Sequence, residues 1–165
     1  MIPKNLIIHH SATNRDKTTF ASINNGHKRR WNWRSALGYY IGYQYFITSN
    51  GRVKQGRKDT ENGAHTKGWN NNSIGICLTG NFMFDRMTSQ QTLSLKVLLD
   101  RLKEEWKIPN QNIFGHREKG MTLCPGNKLM GWIKKYRKKP PQEEFPETGR
   151  QEIISQIKKL LIKLK

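Results

Sequence analysis

Residues His116 to Gly126 read H-R-E-K-G-M-T-L-C-P-G, a histidine and a cysteine eight residues apart, closed by Cys-Pro-Gly. A second stretch, Leu6 to Thr13, reads L-I-I-H-H-S-A-T. Together His9, His116 and Cys124 offer two imidazoles and a thiol, a donor set suited to zinc. Three protein ligands leave a fourth position open, which distinguishes a catalytic zinc site from a structural one. Zinc with an open position makes a nucleophile of bound water near neutral pH and polarises a carbonyl. The pattern therefore reads as that of a hydrolase.

These residues need elements to hold them. Leu6-Ile7-Ile8 is a short β-branched-rich run, expected as a central strand that delivers His9 at its end. Side chains alternate along a strand, so His10 faces away from His9 and is expected to be structural or at the cleft edge. Thr18 or Thr19 can cap a helix running to about Arg30, with Phe20, Ile23 and His27 on one face. Tyr43–Thr48 reads as a strand, Asn50-Gly51 as a hairpin turn and Arg52–Arg57 as the return strand. Ser73–Thr79 reads as a buried strand in which Cys77 is a small core residue. Thr88 to Gln91 forms a capping box. It opens a helix with Leu95, Leu98, Leu99, Leu102 and Trp106 on one stripe, stopped at Ile108-Pro109-Asn110. Asn112–Phe114 is a brief strand leading to His116, and Leu129–Arg137 a last helix. The fold class expected is α/β, a mixed central β-sheet flanked by helices.

The chain of 165 residues is long enough for one domain with a real core. No apolar run approaches the roughly 20 residues of a membrane span. The N-terminal apolar run is about three residues, short of the roughly 7–15 of a signal-peptide core. Synthesis in the cytoplasm without a signal peptide is expected. Two cysteines in a chain of this size argue against a disulfide framework. The net charge of +18 lies almost wholly in residues 1–139. It calls for an anionic partner: nucleic acid, an anionic membrane or an anionic wall polymer. Residues 140–150, rich in Pro, Glu and Gly, read as a linker. Residues 151–165 read as a basic amphipathic helix suited to an anionic membrane or outer-membrane lipid.

Four ordered segments make a resemblance specific. They are Ile7 to Thr13, Gly42 to Phe46, Gly63-Ala64-His65 through Trp69 to Gly75, and Gly115-His116-Arg117 through Thr122-Leu123-Cys124-Pro125-Gly126. In this order they resemble zinc-dependent N-acetylmuramoyl-L-alanine amidases of the peptidoglycan recognition protein fold, including the compact phage type. The resemblance spans residues 5 to about 137, so residues 1–139 are expected to form a zinc amidase domain.

The resemblance implies His9, His116 and Cys124 as zinc ligands. It implies Tyr43 and Thr122 as catalytic residues that hydrogen-bond the attacking water or the developing oxyanion. Thr122 matches the catalytic recognition proteins, where the phage enzyme has Lys, and Gln44 stands where His is often found. His65, Trp69 and Asn70 are implied as contacts to muramyl sugar or stem peptide. The outer ring nitrogens of His9 and His116 are expected to donate to backbone or carboxylate oxygens. Trp31, Trp33, Tyr39 and Tyr40, interleaved with Arg29, Arg30 and Arg34, are suited to a sugar or nucleic-acid groove or to simple loop packing. The function implied is hydrolysis of the bond between N-acetylmuramic acid and L-alanine by a phage-type endolysin. It would be a monomer acting on peptidoglycan at the cell wall after release, with nucleic acid not the expected partner. The alternatives are a non-catalytic peptidoglycan-binding protein and a polymerase-regulating protein of the same fold.

Overall fold

The computed structural model describes residues 1–138. The linker and basic helix expected over 140–165 lie outside the described residues. The elements are β1 (Asn5–His10), α1 (Phe20–Trp31), β2 (Tyr45–Ile47), β3 (Val53–Gln55), β4 (Ser73–Leu78), α2 (Ser89–Trp106), β5 (Ile113–Gly115) and α3 (Asn127–Lys138). The strands form one mixed sheet in the order β3-β2-β4-β1-β5. β1 runs parallel to both β4 and β5, and β2 runs parallel to β4. β3 is the antiparallel return of the Asn50-Gly51 hairpin. Among the described residues no helix is long and apolar enough to cross a membrane.

The alternation of β1 and β4 divides the interior in two. Leu6 and Ile8 join Ile74, Ile76 and Leu78 on one face, under Leu95, Leu98, Leu99 and Leu102 of α2 and Leu129, Met130, Ile133 and Tyr136 of α3. Phe46 and Cys77 face the other way, in a smaller cluster with Phe20 of α1 and Ile41. Both central strands are thus buried on both faces, which accounts for their nearly continuous apolar sequence. The helix caps are those expected. Thr19 and Thr88 each accept an N–H from the third helical residue and close a capping box.

Two strands are shorter than their sequence suggests. The expected Tyr43–Thr48 strand is Tyr45–Ile47. At Gln44 the side chain takes the place of the ladder on the β4 side: Oε1 accepts the Gly75 N–H and Nε2 donates to the Glu61 carbonyl, both at 2.8 Å, while the Gln44 carbonyl still accepts the Gly56 N–H. The return strand, expected over Arg52–Arg57, is Val53–Gln55. Its end is lost because Arg57 turns inward and is fully buried.

Leu99 is fully buried between α2 and the sheet. Truncation to Ala is expected to lower the unfolding free energy by about 2–5 kcal/mol in urea titrations. A loss under 1 kcal/mol would contradict this account of the core.

Candidate metal centre

β1 carries His9 onto the smaller face, beside Cys77 in register, and His10 onto the other. His10 is used structurally: its Nδ1 accepts the Phe82 N–H at 3.2 Å, and its ring stacks on Phe82. His116 follows directly after β5, in a short 3-10 turn over His116–Glu118. Glu118 holds this turn by accepting the Gly115 N–H at 2.8 Å and pairing with Arg137 at 2.9 Å. The Arg117 N–H donates to the Cys124 carbonyl at 2.7 Å, tying the turn to the cysteine segment. Gly126 is required where that segment enters α3. Its φ is +89°, and a Cβ there would lie 2.3 Å from the Phe82 backbone.

These elements bring together one donor atom each from His9, His116 and Cys124, all within 4.8 Å of one another. The His9 Nδ1 to Cys124 Sγ distance is 3.8 Å. Around a tetrahedral zinc-sized ion, such donors stand roughly 3.3–3.6 Å apart. The set therefore fits a metal ion with a small inward adjustment, and two imidazoles with a thiol are borderline-soft donors.

The electrostatics suit a cation. Burial, then the charges of His65, His116 and His10, hold His9 well below the usual imidazole pKa, so its ring is a neutral ligand. Burial pushes the Cys124 thiol up to about 12. The His10 N–H at 3.4 Å from Sγ and the Arg117 charge act in the opposite direction. A bound cation would add to these and stabilise the thiolate.

The outer nitrogen of His9 has partners of an unexpected kind. Its Nε2 lies 3.1 Å from His65 Nδ1 and 3.4 Å from Thr66 Oγ1, a ring nitrogen and a hydroxyl rather than a backbone or carboxylate oxygen. When His9 offers Nδ1 to a metal, its proton sits on Nε2 and these two groups accept it. Among the described residues the His116 ring makes no hydrogen bond.

His65 was expected to contact the substrate. The structure lodges its ring against His9, over Gly75 and Gly63, where an added Cβ would lie 2.5 and 2.4 Å from it. Absence of side chains at those two glycines is what admits the imidazole, and its position makes it a support for His9. Asn70 accepts the N–H groups of His65 and Thr66, both at 2.9 Å, and so shapes the same loop. Trp69 lies toward β5, its ring 6.3 Å from Phe114 with the Lys119 ammonium 3.9 Å from its centroid.

Tyr43 packs beside the metal donors, its ring 5.0 Å from His9 and 5.6 Å from His27. Burial and the neighbouring thiols of Cys77 and Cys124 raise its pKa well above the usual phenol value, so its hydroxyl stays protonated. Cys77 is the buried core residue expected, and its thiol neighbours the Tyr43 hydroxyl. The Thr122 Oγ1 accepts the Cys124 N–H at 3.1 Å, which places the hydroxyl next to the ligand sulfur's own residue.

Of three positioning residues, His27 was placed on its helix face in the sequence, and Asn24 and Arg57 were not singled out. The His27 Nδ1 accepts the Gly42 N–H at 2.9 Å, and Asn24 Oδ1 accepts the N–H groups of Tyr40 and Ile41 at 2.7 and 3.2 Å. The buried Arg57 donates to the carbonyls of Ile41 and Trp33, at 2.7 and 2.8 Å, and pairs with Glu61 at 3.3 Å. Their signal in sequence is weak: a helix face shared by Asn24 and His27, and an arginine indistinguishable from its many solvated neighbours.

Fold and site together define a class, and the comparisons agree. The family described as N-acetylmuramoyl-L-alanine amidase matches residues 1–127. The chain belongs to this family. Peptidoglycan-recognition protein SC2 of Drosophila melanogaster is 35% identical over 130 residues, covering 78% of this chain and 71% of that protein. The endolysin of Enterobacteria phage K11 is 30% identical over 122 residues, covering 70% of this chain and 80% of that one. The solved N-acetylmuramoyl-L-alanine amidase LysC from Clostridium intestinale superposes with a TM-score of 0.71 at 32% identity, covering 81% of this chain and 84% of that one.

Two outcomes follow from the geometry. Gly75→Ala is expected to displace His65 and weaken divalent-metal affinity about tenfold, within the range for groups that orient a ligand. Competition against a chromophoric chelator measures this, and unchanged affinity in a folded variant would refute the support role. Second, burial holds His10 and His27 at about 4 and His65 at about 3. Between pH 6.5 and 4 the unfolded chain binds protons that the folded one does not, so stability falls as pH falls through this window. The urea midpoint of chelator-treated protein is expected to be lower at pH 5 than at pH 7.

Proposed function

We propose that this protein is a zinc-dependent amidase that hydrolyses the amide between N-acetylmuramic acid and L-alanine of peptidoglycan. The observation that carries this reading is the convergence of His9, His116 and Cys124 beside Tyr43, in a chain of the amidase family. Zinc held by these three residues would polarise the amide carbonyl and activate water. The chain's own residues supply the rest. His65 and Thr66 fix the ring of His9 by taking up its outer nitrogen. Tyr43, kept protonated by burial, donates a hydrogen bond to the oxygen that gains negative charge. Thr122 accepts the Cys124 N–H and keeps its own O–H free to donate. The reaction consumes one water and releases a carboxylate on the lactyl group and a free amine on L-alanine.

Trp69 and Asn70 are assigned to the substrate cleft, Asn70 through the amide NH2 that its loop bonds leave uncommitted. The charge of +18 supports a polyanionic setting such as the cell wall.

Mass spectrometry of digested peptidoglycan tests the reading. Zinc-loaded protein is expected to release stem peptides with a free L-alanine amine. Chelator-treated protein and Cys124→Ser are expected to lose at least 100-fold in rate, the scale of removing a large electrostatic contribution to the transition state. Intact peptidoglycan after incubation with metal-loaded protein would overturn hydrolysis, and retained binding would then favour a recognition role without catalysis.

A further inference from the structure

Three apolar side chains stand in solvent at the N-terminal end of α3. Phe84 is 76% exposed, Leu123 is 69% exposed and Met121 is fully exposed. Two loops carry them, and the loops abut. The Lys128 N–H donates to the Phe82 carbonyl at 3.0 Å, and its ammonium donates to the carbonyl of Phe84. Arg117 Nη2 donates to the Leu123 carbonyl and lies 3.8 Å from Met83 Sδ. Single exposed apolar residues are ordinary, but three on adjoining loops, bridged by cations, mark a contact surface.

α3 extends this surface with charge. Residues 119–138 hold no Asp or Glu. Leu129, Met130, Ile133 and Tyr136 are the buried side of the helix. Lys128, Gly131, Lys135 and Lys138 recur at helical spacing on the other side, and all four are exposed. None of these lysines pairs with a carboxylate among the described residues, whereas Lys96, Arg101 and Lys103 of α2 pair with Asp100 and Glu105. The row is also uncovered: a Cβ on Gly131 would meet no atom within 4 Å.

Charge and apolar tips together select the partner. A phosphodiester backbone would engage the lysines and leave Phe84 and Leu123 in water. An anionic bilayer engages both, because apolar tips enter the acyl boundary while ammonium groups stay with the lipid phosphates. Residues 139–165 follow directly after Lys138, so the stretch whose sequence suits an anionic membrane continues from the end of this helix. We propose that the lysine row of α3, with Phe84, Met121 and Leu123, docks the domain on an anionic phospholipid bilayer. Docking would turn the Met121–Cys124 segment, and with it one edge of the donor cluster, toward the lipid. The proposal is independent of the amidase reading.

The test is co-sedimentation of the full-length protein with vesicles of phosphatidylcholine alone, and of phosphatidylcholine mixed with phosphatidylglycerol, at physiological ionic strength. The wild type is expected to bind the mixed vesicles and not the neutral ones. Gly131→Glu puts a carboxylate in the lysine row at a position with open space, and Glu is a better helix former than Gly. It is expected to bind about fivefold more weakly, the scale of one charge at an anionic surface. Gly131→Ala should bind as the wild type does. Phe84→Ser is expected to lose about tenfold, the scale of withdrawing one large apolar side chain from a nonpolar phase. Circular dichroism melts confirm that each variant is folded. Equal vesicle binding by wild type, Gly131→Glu and Phe84→Ser would overturn the proposal and leave residues 139–165 as the membrane contact. Binding of wild type to neither vesicle would overturn it as well. So would a loss in Gly131→Glu alone, matched by an equal loss toward duplex DNA, which would make the row a general polyanion site.

Discussion

The alternation of side chains along one doubly buried strand governs the layout of this molecule. β1 lies between two parallel neighbours and faces a hydrophobic layer on each side, so consecutive residues cannot share an environment. His9 and His10 are adjacent in sequence and yet serve different ends. One enters the cluster of donors; the other props the backbone of Phe82 on the α2 and α3 side. A shift of one residue in register would exchange them and carry every apolar side chain of the strand with them, so the core and the donor set are specified by the same constraint.

The walls around the donors are built from buried polar groups more than from apolar packing. Segments 39–44 and 57–66 are joined through Asn24, His27, Gln44 and Arg57, and nearly every contact runs from a side chain to a backbone N–H or carbonyl. Such bonds replace the ladder where the strands end. Their value lies in what they prevent, since a buried peptide group without a partner costs about 1–3 kcal/mol. Arg57 is the extreme case. Its planar fork satisfies several carbonyls at once in a way the point charge of a lysine does not.

Much of this was legible in the residues. The Thr88 capping box and the Leu95–Leu102 stripe specify α2 locally, and Asn50-Gly51 specifies the hairpin. The grouping of His9, His116 and Cys124 was legible through the order of the motifs that carry them. What could not be read depends on contacts between distant segments. Nothing in the Gly63 to Gly75 sequence says that its glycines make room for an imidazole, and that space turns His65 toward His9. The late start of β2 at Tyr45 depends on Gln44 reaching β4, 31 residues on. The burial of Arg57 was hidden by the chain's abundance of basic residues, since solvated and buried arginines look alike in a sequence.

The order of the strands also has a consequence in time. His9 emerges from the ribosome early, in a strand whose partners begin at Ser73 and Ile113. Cys124 follows last, and Gly126 must then pass close to Phe82. At translation rates of about 5–20 residues per second, the first histidine waits several seconds for the cysteine. During that interval the nascent chain holds an incomplete set of donors. A product released before residue 124 lacks that thiol, so the set of three donors cannot close until this segment has been made.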